Sequence, residues 1–552
     1  MEYITATNKS ISQLMNEFKD GLIDVPEIQR DVVWKSDQIK DLIDSISRGF
    51  PCGSLILWEP REKDKNFLRS IIRPERLEKN APLPKYFILD GQQRLTALSV
   101  VLLKRELLKN LLNELEEEMP YIYINLKRFP KEIEARSSAS HDIHWVLYNS
   151  LFDGTLEDTG EYKKLDDAMK CRIKKHVQNI FDYQFPVQII HDRNYADVSE
   201  IFTRVNSQGT PLTGAEIHLA KIVPHWPGIT RKFREYRKEL RINYYDLDLN
   251  FLMRTITAIE CNVPQIKKLS EKISKDHISK NRLNATWEKV KKSTNRLIKI
   301  LKKELYLDKS KYFTSKNTLV PLVYYISTKK RSVAIGNIKK FFPLSQLSEH
   351  YGGAAESTLR KDFKTLTEAS KPRFGLIELV NNVNYESRQY YRGLKIKGED
   401  ISGIPSKNVL VLFMYVLMKR NKATDWGSRN RLSLEEIEPR NTQLHHIFPS
   451  NLMLNDKNAL KRYTEEKECS QSEYREAVND IANITFLSKA KNIAIGDVAP
   501  SQYLINETTR EIRKAHFIPE KPELWKTENY IDFLEERKRL IAEAITRFIK
   551  NL

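Results

Sequence analysis

The sequence predicts a multidomain α+β protein, and three observations carry that prediction. Residues 1 to about 225 alternate short β-branched and aromatic runs with amphipathic helical stretches. From about 230 to 430 strand signals thin out and helical periodicity dominates. Residues 431–552 combine a short strand–strand–helix signal with flanking helices. A chain of 552 residues is too long for one compact core, so the expected domains are 1–225, a helical connecting region 230–430, and 431–552.

The elements follow in order. Ile11, Leu14 and Phe18 recur at helical spacing, and Gly21 supplies the stop. Ser36 caps a second helix with Ile39, Leu42, Ile43 and Ile46 on one face and Gly49 behind it. Ser54–Trp58 and Lys85–Leu89 read as strands, and a long helix follows from Leu95 towards Leu112. Tyr121–Leu126 and Phe185–Ile190 are further strands, and Thr213-Gly-Ala-Glu216 is a capping box that opens another helix. In the middle region Trp287, Val290, Leu297, Leu301 and Leu305 share an apolar stripe. Lys289, Lys292, Arg296, Lys299 and Lys303 recur beside it, a pattern that a solvated face and a DNA-binding stripe both satisfy. The longest apolar run, Val409 to Met418, is about half a membrane span and reads as a buried helix.

Composition narrows the partners. Lys plus Arg exceed Asp plus Glu by 92 − 73 = 19, which favours a polyanion whose counterions are released on binding. Cys52, Cys171, Cys261 and Cys469 form no CxxC pair, which excludes a disulfide framework and a cysteine-ligated zinc site and suits a reducing cytoplasm. The N-terminus lacks a cationic stretch followed by an apolar run, so no signal peptide and no membrane partner are expected. His141 and His144 sit three apart without a metal-ligating partner at zinc spacing.

The C-terminal segment carries the chemistry. Leu444–Pro449 (LHHIFP) precedes Ile481–Asp497 (IANITFLSKAKNIAIGD), with Asn492 nine positions after Asn483. This order resembles the HNH, or His-Me finger, nucleases: a strand with x-H-I-x-P, a loop, a strand beginning with Asn, here Asn483 to about Leu487, and a short helix with another Asn or His. Phosphodiester cleavage needs a base for the attacking water and positive charge for the leaving oxygen. The resemblance implies His446 as catalytic base, since an imidazole titrates near neutral pH. It implies His445 and Asn492 as ligands of one divalent metal, Mg²⁺, Mn²⁺ or another transition ion, and Asn483 as the residue that pins the loop.

Three N-terminal motifs stand apart from these. They are Pro26-Glu-Ile28-Gln29-Arg30 followed by Trp34, Ile88-Leu-Asp90-Gly91-Gln92-Gln93-Arg94, and Ile201-Phe-x-Arg204-x-Asn206-x-x-Gly209. In the second, a strand runs through Gly91 into a helix whose first N–H groups are unpaired, an anion site to which Arg94 adds a bidentate donor. A salt bridge between Asp90 and Arg94 at a strand end explains the same two residues equally well. No Gly-Lys dipeptide occurs, which excludes a Walker loop. Together the motifs resemble the ParB/sulfiredoxin-like domain of the GmrSD family of type IV restriction enzymes, which joins that domain to an HNH domain in one chain. The resemblance implies an NTP substrate (GTP, ATP or UTP) bound by Gln29, Arg30, Asp90, Gly91, Gln92, Gln93, Arg94, Arg204 and Asn206, with Asp90 and Arg94 catalytic. Relatives often carry an aromatic residue where this chain has Ile28, which leaves open the DNA modification that is sensed.

The function these features imply is a cytoplasmic antiphage endonuclease. It would cut modified or foreign double-stranded DNA, such as glucosylated hydroxymethylcytosine DNA, under control of an N-terminal NTPase. An Ssp-type effector linked to phosphorothioation fits the same motifs, and a homo-oligomer is compatible with them. Two other classes are a ParB-like DNA-binding regulator without catalysis and an unregulated toxin nuclease; a plasmid-nicking assay separates the first from the enzyme.

Overall fold

The computed structural model describes residues 3–27, 34, 36–61, 84–103, 121–130, 133–136, 144–206, 212–275, 277–328, 333–368, 372–405, 408–427 and 432–552. Gln29, Arg30, Gly209, His141 and the expected helix beyond residue 103 lie outside the described residues. The chain divides into two compact units, Met1–Phe233 with Ser270–Lys280, and Arg234–Leu269 with Asn281–Leu552. It is a mixed α+β protein, as the alternation of patterns predicts. Among the described residues no helix is long and apolar enough to cross a membrane.

The first unit is built on a five-stranded sheet. Strands β1 (Ile4–Ser10), β2 (Ile23–Asp24), β3 (Leu55–Trp58), β4 (Tyr86–Asp90) and β8 (Gln184–Ile190) lie in the order β1-β8-β3-β4-β2. β1 runs antiparallel to β8, β8 parallel to β3, β3 antiparallel to β4 and β4 parallel to β2. Ser10 ends β1 and opens α1 (Ile11–Lys19), its Oγ accepting from the Gln13 N–H while the Gln13 side chain accepts from the Ser10 N–H. α1 buries Ile11, Leu14, Met15 and Phe18, and α2 (Ser36–Ser47) buries Ile39, Leu42, Ile43 and Ile46 in the same core. A three-stranded antiparallel sheet, β6-β5-β7, is formed by β5 (Tyr121–Asn125), β6 (Ile133–Arg136) and β7 (Trp145–Leu147). The expected strands shift by a residue at one or both ends, and the helix after β4 shifts further. β4 runs to Asp90, and the following helix α3 (Gln92–Leu102) starts at Gln92 and not at Leu95, because Gly91 at φ +89° makes the turn in a single residue.

The second unit is helical around one two-stranded ribbon. Its long helix α4 (Lys280–Leu305), whose first residue belongs to the first unit, buries Trp287, Val290, Leu297, Leu301 and Leu305. Leu410–Arg420 forms α5, buried from Leu410 to Lys419 as the apolar run predicts. β9 (Thr442–His446) and β10 (Ile484–Ser488) pair antiparallel, with Ile484 opposite His446 and Thr485 opposite His445. The expected second strand thus begins one residue later. Asn483 instead ends a 3₁₀ turn, Ile481–Asn483, whose start is capped by Asp480 accepting from the Ala482 N–H at 2.7 Å. α6 (Lys489–Ile495) follows β10 directly and carries Asn492, and α7 (Tyr530–Lys550) packs its Phe533 and Leu534 into the core beside Phe448 and Leu487.

Candidate functional site

In the second unit the ribbon brings His445, His446, Asn483 and Asn492 into one neighbourhood. Asn483 is fully buried and all its polar atoms are engaged. Its Oδ1 accepts from the Phe448 N–H at 2.8 Å, and its Nδ2 donates to the carbonyls of Phe448 and Val478, both at 2.9 Å. Its own carbonyl accepts from the Ile447 N–H at 2.8 Å. The chain leaving His446 is therefore clamped at two successive residues.

His446 ends β9, and its Nε2 lies 3.0 Å from Asn479 Oδ1. The orientation of that amide is determined, because Asn479 Nδ2 donates to the Arg475 carbonyl at 2.9 Å and a carbonyl only accepts. Oδ1 therefore faces the imidazole, Nε2 carries the proton, and the lone pair is on Nδ1. Burial lowers the pKa of His446 against the hydrogen bond to Asn479, so the ring is neutral at neutral pH.

His445 points to the other side of the ribbon and is 2% exposed, its ring perpendicular to Trp426 at 5.3 Å. Its Nδ1 stands 2.7 Å from Asn492 Oδ1, and Asn492 Nδ2 donates to Gln443 Oε1 at 3.0 Å. Gln443 and His445, two apart on a strand, share that face. Burial pushes His445 down to about 4, the bond to Asn492 only partly opposing it. A neutral imidazole has one N–H, and His445 Nε2 is buried without a partner among the described residues. At 2.7 Å Nδ1–H donates to Asn492 Oδ1, and moving that proton to Nε2 would turn both atoms into lone-pair donors towards a cation. His445 and Asn492 would then be the residues to hold a small divalent ion. The donor set fits such an ion with water and phosphate completing its shell. Among the described residues no group of three or more His, Cys, Asp or Glu side chains could hold a metal.

Sequence reasoning missed Asn479, Gln443, Trp426 and Arg537. Arg537 is fully buried on α7 and donates to the carbonyls of Ala482 at 2.7 Å and His516 at 3.1 Å, holding the turn before Asn483. Burial lowers its pKa to about 9. An arginine on an otherwise apolar helical face, with Phe533, Leu534, Ile541 and Ile545, was the available signal.

In the first unit a cleft of about 670 Å³ opens where β4 meets α3, lined by Asp90, Gly91, Gln92, Gln93, Arg94 and Asn206 among others. Arg94 donates to Asp90 Oδ2 at 2.9 Å and to the Cys52 carbonyl at 2.6 Å, so the salt bridge that the sequence left open is formed. Close packing explains the glycines: a Cβ on Gly53 would stand 2.3 Å from Arg94 Nη1, and one on Gly91 2.2 Å from Leu55 Cδ2. Gln92 is 4% exposed, and neither atom of its amide has a partner among the described residues. Gln93 Oε1 accepts from the Trp34 N–H at 3.3 Å. Asn206 Nδ2 donates to the Phe202 carbonyl at 2.9 Å and reaches the Leu89 carbonyl at 3.5 Å. Arg204 is exposed and pairs with Glu200 one turn back, and it is not among the described residues that line the cleft.

Residues 11–223 match the family model of the GmrSD restriction endonuclease N-terminal domain, and residues 398–544 match that of the GmrSD restriction endonuclease C-terminal domain. The chain is also similar to an uncharacterized protein of Methanocaldococcus jannaschii, 24% identical over 617 positions covering 98% of this chain and 99% of that protein. The matched domains are those of a DNA-cutting defence enzyme, and DNA is the partner they imply.

Proposed function

The chain belongs to the GmrSD family of type IV restriction endonucleases, and from that premise we propose a divalent-metal-dependent antiphage nuclease of the His-Me finger type. In this reading His446 is the catalytic base, and a ParB-like N-terminal domain binds and hydrolyses an NTP and senses modified or foreign DNA. The observation that carries the reading is the amide of Asn479, which leaves the Nδ1 lone pair of a neutral His446 free to take a proton from water. The hydroxide so formed attacks phosphorus, and the bond to the leaving oxygen breaks. An ion bound by His445 and Asn492 would supply positive charge for that oxygen. The loop clamped by Asn483 fixes the base relative to the ribbon. In the cleft, the unpartnered amide of Gln92 and the N-terminus of α3 suit a phosphate-bearing ligand. The Asp90–Arg94 pair favours a second reading of that cleft alone, a nucleotide-binding switch without hydrolysis.

The test is cleavage of matched plain and phage-modified DNA, with and without each NTP, by the wild type and by His446→Ala. Loss of a general base lowers the rate by about 10²–10⁴-fold. A variant that cuts at the wild-type rate removes the assignment, and NTP turnover that is absent under all conditions leaves the switch.

A further inference from the structure

We infer that the solvent face of α4 is a docking surface for the phosphate backbone of duplex DNA, which rests on the nuclease reading above. Lys289, Lys292, Lys299 and Lys303 are exposed. At about 100° per residue they fall within an arc of about 80°, on the side opposite Trp287 and Leu301. None of the four has an ion-pair or hydrogen-bond partner among the described residues. The acidic side chains of the helix, Glu288 and Glu304, are engaged by Lys291 at 3.7 Å and Lys339 at 3.5 Å. A face built only for solubility ordinarily mixes signs at i and i+4. Glu288, four residues before Lys292, borders the row at its N-terminal end, and the arc from Lys289 to Lys303 itself carries only cations over about 21 Å of helix axis.

The row also leads towards the nuclease ribbon. Four residues beyond the end of α4, Lys309 donates to the Pro439 carbonyl at 3.1 Å, three residues before β9 begins. Tyr312 packs against Phe486 of β10 at 5.6 Å. A cleft of about 380 Å³ lies at this junction, lined by Lys311 and by Leu444, two residues from His446. Duplex DNA presents one charge per about 1.7 Å of axis, so an extended row of lysines matches a rod-like polyanion and not a compact acidic ligand. The restriction-endonuclease domains favour DNA over RNA.

The experiment replaces Lys289, Lys292, Lys299 and Lys303 by Gln in the full chain. A control replaces Lys364, Lys457, Lys514 and Lys550, exposed lysines of other helices, by Gln. Binding of a plain 30-base-pair duplex is followed by fluorescence anisotropy in EDTA from 50 to 200 mM salt. Four phosphate contacts contribute about 3.6 to the slope of log affinity against log salt, so the variant should lose about 150-fold less affinity across that range than the wild type. The control should keep the wild-type slope, and all melting temperatures should agree. Lys299→Glu with Lys303→Glu should weaken binding more than the same pair changed to Gln. The inference is overturned by an unchanged slope, by an equal loss in the control, or by a loss seen with duplex RNA and not with DNA. A wild type that binds and cuts DNA beside an unaffected variant overturns this surface alone, whereas a wild type that binds neither plain nor phage-modified duplex overturns the nuclease reading with it.

Discussion

The clamp around Asn483 can be broken without changing its shape. In Asn483→Asp an oxygen replaces Nδ2 and stands 2.9 Å from the Phe448 and Val478 carbonyls, in a site closed to water. An ionised carboxylate there is a buried charge facing two acceptors, so the side chain protonates and its folded pKa rises well above about 3.9. Its single proton satisfies one carbonyl and leaves the other unpaired, a cost of about 1–3 kcal/mol, plus repulsion. Asn483→Ala leaves three buried backbone groups unpaired, which at the same cost for each sums to about 3–9 kcal/mol. Only the Asp variant binds a proton on folding. With the folded pKa raised, its stability falls by about 1.4 kcal/mol per unit as pH rises from about 3.9 to the folded pKa. Acidification from pH 7 to pH 5 therefore restores about 2.7 kcal/mol if the folded pKa exceeds 7. Urea unfolding at pH 5, 6, 7 and 8, read through tryptophan fluorescence, gives the difference between the two variants and cancels the wild-type pH response. A pH-independent difference, or an Asp variant as stable as the wild type, would refute the clamp.

Three further outcomes are expected. Asn479→Leu should lower kcat by on the order of 10-fold or more with KM for DNA little changed, while Asn479→Asp, which still accepts from Nε2, keeps most of the rate; ¹⁵N-histidine spectra should show the Nε2–H form of His446 in the wild type, and equal behaviour of the two variants would leave Asn479 no positioning role. Gly91→Ala should weaken binding of a fluorescent nucleotide analogue, since φ +89° costs an L-residue about 1–2 kcal/mol and the new methyl meets Leu55; wild-type binding would show that the turn does not shape the ligand site. His350 donates to Glu386 at 2.6 Å and Asp362 at 2.9 Å, and although burial opposes its charge, these carboxylates hold its pKa up at about 9. Its contribution is complete below about 6.5 and is lost as pH rises through about 9, on the order of 3 kcal/mol, so melting temperature should fall across that window in the wild type and less in His350→Gln.

Much of this was legible where the signal is local. The capping box at Thr213 and Glu216 forms as written, with the Thr213 N–H donating to Glu216 at 2.6 Å, because both partners lie within one helical turn. His445, His446, Asn483 and Asn492 were legible because a motif fixes their order, even though Asn492 reaches His445 across 47 residues. The unlegible parts depend on distance without a motif. β1 was not anticipated: its pattern is largely exposed, and it becomes a strand only by pairing with β8, about 180 residues later. Asn479 is one polar residue at a helix end until the ribbon brings it to His446, and Arg537 reaches the Ala482 carbonyl from a helix 55 residues on.

The adjacency of the two histidines has a physical logic beyond the motif. Successive side chains of a strand point to opposite faces, so His445 turns towards Trp426 and Asn492 while His446 turns towards Asn479. In-line displacement at phosphorus needs the attacking and leaving oxygens on opposite sides of the reacting atom. In the proposed reading a base at His446 and a metal ligand at His445 would meet that requirement with a single peptide bond between them, whereas positions two apart would bring both to one face. The same alternation separates their environments. The inward residue is buried beside aromatic rings and kept neutral, and the outward one ends the strand, where its Nδ1 carries a lone pair. Neither side chain can drift, because the ladder pairs both residues and Asn483 clamps the next two. The buried asparagine is thus as necessary to this geometry as the histidines, although it would touch neither water nor phosphate.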